Sequence, residues 1–217
     1  TLTPSYSWTN QSGTELSTTD SYTIAASETE TGDELTCTAS VVDSDGDTVS
    51  SSSSVTIQNT APTVANVSIV SDSGNDHNDD TLTCTADVAD VDENINNTQY
   101  IWSMGTAQLG TGSTLDLSTV SVMPEDEIVC TVQTMDDNFT AAEDTGSLTL
   151  GNRAPVLSIA SIDNTTPYAD STMVCSASVS DEDGETLSAT YEWTNGTTVL
   201  GSSASLTLTP SDASVSD

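Results

Sequence analysis

The sequence predicts an all-β protein: tandem two-sheet sandwiches arranged end to end, with a repeat of about 90 residues. Three observations carry this. Each of the four cysteines has an aspartate six residues downstream: Cys37–Asp43, Cys84–Asp90, Cys130–Asp136 and Cys175–Asp181. Trp8, Trp102 and Trp193 recur at spacings of 94 and 91, each two residues after a tyrosine. The tetrapeptides Asn59-Thr-Ala-Pro62 and Asn152-Arg-Ala-Pro155 match at three of four positions.

Each element follows from a local pattern. Leu35, Cys37, Ala39 and Val41 alternate with polar residues, as do Leu82, Cys84, Ala86 and Val88. Ile128, Cys130, Val132 and Thr134 repeat the arrangement, and so do Met173, Cys175, Ala177 and Val179. A period of two marks a half-buried strand, and the aspartate takes the next inward slot where that strand ends. The Tyr-x-Trp segments alternate likewise and turn tryptophan to the buried face. Proline in each tetrapeptide ends one ladder and starts the next repeat. The chain therefore divides into a partial repeat (1–60), a complete repeat (61–152) and a second partial repeat (153–217), a window on a longer array.

The composition excludes whole classes of function. The chain carries 34 acids against one arginine, Arg153, and no lysine, with His77 its single histidine and a net charge of −33. Such a surface repels nucleic acid and anionic lipid, because it has no cations to displace counterions from phosphates. Low hydrophobicity with high charge usually means disorder, but the alternation around each cysteine opposes that reading. Bound cations or high salt must then offset the self-repulsion. No apolar run approaches a membrane span and no signal peptide is visible.

Cys84, then Trp102 after 18 residues, then Cys130 after another 28, resembles the immunoglobulin-like sandwich. The resemblance implies strands A near Val64–Val70, B near Thr81–Ala89 and C near Gln99–Met104. It places E near Ser113–Leu117, F near Glu127–Thr134 and G near Thr145–Leu150. Residues 1–60 would carry strands C to G and residues 153–217 strands A to E, with C to E at Tyr6–Ile24 and Tyr191–Leu208. It further implies a Cys84–Cys130 disulfide, partners for Cys37 and Cys175 outside this sequence, and an oxidising, extracellular or cell-surface location.

Acids gather where strands B and F end. The loops read Asp43-Ser-Asp45-Gly-Asp47, Asp90-Val-Asp92-Glu93-Asn94, Asp136-Asp137-Asn138 and Asp181-Glu-Asp183-Gly-Glu185. Alternate carboxylates around a tight turn suit a hard cation that takes several oxygens. The stretch resembles the acidic Asp-Gly segments of bacterial PKD-type and cadherin-like repeats, which implies Ca²⁺ at the junctions between repeats. The candidate ligands are Asp43, Asp45, Asp47, Asp90, Asp92, Glu93, Asp136, Asp137, Asp181, Asp183 and Glu185. Further acids at Glu28–Glu34 and Asp72–Asp80 are expected to face such loops across the tetrapeptides, where Arg153 can pair with them.

Six Asn-x-Ser/Thr sequons, at Asn10, Asn66, Asn96, Asn138, Asn164 and Asn195, are glycosylation candidates. Asp72-Ser-Gly and Asp144-Thr-Gly mimic the aspartic-protease signature but sit in repeat filler, and His77 has no nucleophile in its motif. The expectation is not an enzyme. It is a structural segment of a long extracellular repeat protein (fibre, stalk or adhesin shaft), whose partners are neighbouring repeats or other copies in a filament. The alternatives are a module that binds a glycan or protein receptor, and a spacer in a large secreted hydrolase.

Overall fold

The computed structural model describes residues 2–25 and 27–212, and every regular element in it apart from one 3₁₀ turn is a β-strand. The chain divides into two compact units. One comprises Thr1–Ile69, Thr83–Leu115 and Ile128–Ser147; the other comprises Val70–Leu82, Asp116–Glu127 and Leu148–Asp217.

In the first unit, β1 (Ser5–Thr9), β2 (Glu15–Ser17), β3 (Glu34–Val42) and β4 (Thr48–Thr56) form one antiparallel sheet in the order β2-β1-β3-β4. Cys37 stands opposite Trp8 in that sheet. The strand expected to end near Ile24 does not form, because residues 21–25 take no ladder partner. The serine run Ser50–Ser54 forms the middle of β4, which pairs along its whole length with β3.

Residues 63–149 contribute β5 (Thr63–Ser71), β6 (Thr81–Ala89), β7 (Ile95–Met104), β8 (Ala107–Thr111), β9 (Thr114–Asp116), β10 (Glu127–Asp136) and β11 (Ala141–Thr149). They make two sheets, β5-β6-β9 and β11-β10-β7-β8. The Cys84–Cys130 disulfide joins β6 to β10, with Cα atoms 6.5 Å apart. Trp102 is fully buried, as are Cys84, Cys130 and Val132. Strands β7 and β11 begin four residues earlier than their apolar pattern suggests, since ladder pairing continues through polar residues that face solvent. The hairpin strand β8 carries no alternation in sequence. The two-residue turn Gly105-Thr106 creates it, with Gly105 at φ +56°.

The second unit buries Leu82, Leu117, Val122, Leu150 and Met173. Its remaining strands are β12 (Val156–Leu157), β13 (Ser161–Ile162), β14 (Thr172–Ser176), β15 (Val179–Ser180), β16 (Trp193–Asn195), β17 (Thr198–Gly201) and β18 (Ser205–Thr207). The strand expected around Cys175 is split into β14 and β15. Ser158 and Ser178 bridge the gap, the Ser158 amide donating to the Ser178 carbonyl and the Ser178 amide to the Ser158 hydroxyl. One contact recurs in all three sequence repeats. Each indole N–H donates to a carbonyl ten or eleven residues on: Trp8 to Thr19, Trp102 to Gly112 and Trp193 to Ser203.

Candidate functional site

The two tetrapeptides expected to join successive repeats, hereafter the hinges, are each held by acids. The first hinge, Asn59–Pro62, lies in the first unit with loops 90–94 and 136–138. The second, Asn152–Pro155, lies in the second unit with the turn 77–80 and loop 181–185.

At the first hinge, the Asn59 amide nitrogen donates to Asp136 Oδ2 at 2.9 Å and to the Thr140 hydroxyl at 3.1 Å. Asp136 Oδ1 accepts the backbone amides of Asn138 and Thr140. Burial pushes the carboxyl up, but the Asn59, Thr140 and Asn138 hydrogen bonds outweigh it and hold Asp136 below the ordinary carboxylate value. Both oxygens of this fully buried side chain are thus committed to protein donors. The Thr60 backbone amide donates to Asp92 Oδ2.

Loop 90–94 is closed by the Asp92 amide, which donates to Asp90 Oδ1 at 2.7 Å. The other oxygen, Asp90 Oδ2, is buried with no partner among the described residues, and so are Asn94 Oδ1, Asn59 Oδ1 and Thr31 Oγ1. Glu30 and Thr31, from the turn before β3, line a cavity of about 340 Å³ with Asp92, Glu93, Asn94, Asp137 and Asn138. Glu30 of the turn and Asp92, Glu93 and Asp137 of the loops thus line one cavity.

The second hinge repeats part of this. The Asp183 amide donates to Asp181 Oδ1 at 2.8 Å, and Asp181 Oδ2 is again buried without a partner. The Arg153 backbone amide donates to Asp183 Oδ2, as Thr60 does to Asp92. Here, however, the guanidinium adds its own bonds. Nε donates to Asp183 Oδ1 at 2.7 Å, one terminal nitrogen to Asn78 Oδ1 at 2.9 Å and the other to Asp79 at 3.2 Å. The Asn78 amide nitrogen donates to the Asp183 carbonyl at 2.8 Å. Asp183 is 3% exposed. Burial raises its carboxyl, but the Arg153 amide, guanidinium and charge, with a smaller contribution from His77, bring it below the ordinary value.

Among the described residues, two sets of side chains bring ligand atoms within 4.8 Å of one another and could hold a metal ion: Asp181, Asp183 and Glu185, and His77, Asp79 and Asp80. The second set was not legible as ligands, because His77 reads as a solvated turn residue. The remaining candidate acids lie elsewhere. Asp43 Oδ1 caps its own exposed loop by accepting the amides of Asp45 and Asp47. Asp137 Oδ1 accepts from Asn96, whereas Glu93 is exposed at φ +56°. Asn59, Asn78 and Asn94 went unread as site residues. The recurrence of asparagine at each hinge was the available signal for Asn59.

Of the sequons, Asn66, Asn96 and Asn195 donate their side-chain amides to Asp87, Asp137 and the Asp212 carbonyl. Asn10 and Asn164 instead accept the backbone amide two residues on. Among the described residues no helix is long and apolar enough to cross a membrane.

No family model matches the chain, and neither does any curated protein. It is similar to a solved structure titled "Crystal structure of tetra-tandem repeat in extending region of large adhesion protein". The two share 17% identity at a TM-score of 0.34, over 95% of this chain and 57% of that one, so this chain spans a little over half the other's length.

Proposed function

We propose that this chain is a structural segment of a long extracellular or cell-surface repeat protein (fibre, stalk or adhesin shaft), whose hinges are closed by acids and cations. The observation that carries the reading is the buried carboxylate oxygen Asp90 Oδ2, which has no partner among the described residues, beside the first hinge. A buried acceptor without a donor costs free energy, and a bound cation removes that cost. At the first hinge the donors are all oxygen: carboxylates, side-chain amide carbonyls and a hydroxyl. That set fits Ca²⁺ better than a metal preferring nitrogen or sulfur. The cation supplies charge neutralisation and coordination. The chain's own residues supply the rest: Asp92 and Asp183 grip the hinge amides, and Asp136 grips Asn59.

On this reading residues 1–60, 61–152 and 153–217 are successive immunoglobulin-like repeats, and the disulfide implies an oxidising, extracellular setting. The role is mechanical rather than catalytic. Thermal unfolding of the chain in millimolar Ca²⁺, in chelator, and in sodium chloride of matched ionic strength tests it. A rise in Tm specific to Ca²⁺, lost in Asp90→Asn, is expected. An equal rise with sodium chloride would reduce the acids to generic surface charge.

A further inference from the structure

The hinges differ at one position. The residue after the hinge asparagine is Thr60 in the first and Arg153 in the second. In both, its backbone amide donates to the second aspartate of the following acidic loop, Asp92 or Asp183. Only Arg153 goes on to fill the acidic surroundings with a side-chain charge. Its guanidinium pairs with Asp183 at 2.7 Å, Asp79 at 3.1 Å and Glu182 at 3.7 Å, and one terminal nitrogen reaches the Glu182 carbonyl at 3.2 Å. It is the single basic side chain among 34 acids. Thr60 brings no charge, and the first hinge keeps unpartnered oxygens on Asp90, Asn94 and Asn59, whereas the second keeps the one on Asp181.

We propose that Arg153 is a resident cation that closes the second hinge without metal, and that the residue after the hinge asparagine sets whether a hinge depends on a dissolved cation. The dependence of the first hinge rests on the calcium reading above; the role of Arg153 rests on its own contacts. The planar guanidinium engages Asp183 through Nε while its terminal nitrogens span to Asn78 and Asp79. It therefore ties the acidic loop to the opposing turn, a geometry that an ammonium cannot reproduce. A divalent ion would have to displace Arg153 before taking Asp183, since the backbone and side chain of Arg153 together engage both oxygens. On this proposal the second hinge stays closed in chelator although Asp181 Oδ2 has no donor, and the first answers to dissolved cations.

Amide exchange at positions 60 and 153, read by NMR on the full chain, separates the two hinges. In wild type, the Thr60 amide should exchange roughly tenfold faster in chelator than in millimolar Ca²⁺, while the Arg153 amide changes by less than about twofold. Arg153→Thr should make position 153 respond to Ca²⁺ as position 60 does, and Arg153→Lys should fall between. Thr60→Arg should keep position 60 protected in chelator, a result that stands even if Arg153→Thr folds poorly. Continued protection at position 153 of Arg153→Thr in chelator would overturn the proposal. So would a Thr60→Arg chain that still opens its first hinge on chelation. If the Thr60 amide ignores Ca²⁺ while Arg153→Thr still opens the second hinge, the calcium reading alone falls and Arg153 remains the lock.

Discussion

Asp136 and Asp183 are buried carboxylates that burial alone would drive toward protonation, yet both are held below the ordinary value by their hinge partners. A group whose folded pKa is depressed contributes stability above its unfolded value, about 3.9, and loses it as pH falls through the folded value. Asp136→Asn should therefore lower Tm at neutral pH by several degrees, and the gap to wild type should close below about pH 4. Acid also relieves the repulsion among the other carboxylates, so that difference is the readout rather than the wild-type curve. A gap independent of pH would mean that Asp136 acts through shape alone. The acid at the strand end was legible because it continues the inward alternation after Cys130. Which donors consume its oxygens was not, because Asn59 lies 77 residues away.

At the scale of elements, the Trp hairpin is the recurring device. Trp102 fills the core next to the disulfide while its N–H satisfies the Gly112 carbonyl at 2.8 Å. Trp102→Phe leaves that carbonyl unpartnered and removes ring volume, and should cost about 2–4 kcal/mol by chemical denaturation. The same change at half-buried Trp8 should cost less. Gly151, just before the second hinge, approaches the turn before β6 so closely that an added Cβ would lie 2.7 Å from the Asn75 carbonyl oxygen. Gly151→Ala should therefore destabilise the chain by about 1–3 kcal/mol. Unchanged stability would show that the turn gives way. Strands flanking cysteines were readable from period-two alternation. The hairpin strand β8 was not, since a glycine turn rather than an apolar face determines it.

At the scale of the molecule, the disulfide encloses a sequence separation of 46 residues. Replacing Cys84 and Cys130 with alanine should lower unfolding free energy by about 2–4 kcal/mol, mainly by freeing the unfolded chain. Arg153 is the single trypsin site in the sequence. The folded chain should resist trypsin because that side chain is engaged by Asp183, Asp79 and Asn78. The unfolded chain should be cut once. Rapid cleavage of the folded protein would mean that the guanidinium is free in solution.

The sequence by itself determined that the chain is all β, where the strands around Cys37, Cys84 and Cys130 run and that acids collect at their ends. These are properties of local alternation and of recurrence at a spacing near 90 residues. Only the tertiary structure decided which acids remain available. It commits Asp136 to Asn59, Asp92 to the Thr60 amide and Asp183 to Arg153, and leaves one oxygen each of Asp90 and Asp181 buried and unpartnered. The physical reason is that strand formation depends on neighbours two residues apart. The free energy of a carboxylate depends on every donor and charge the fold brings within hydrogen-bond reach.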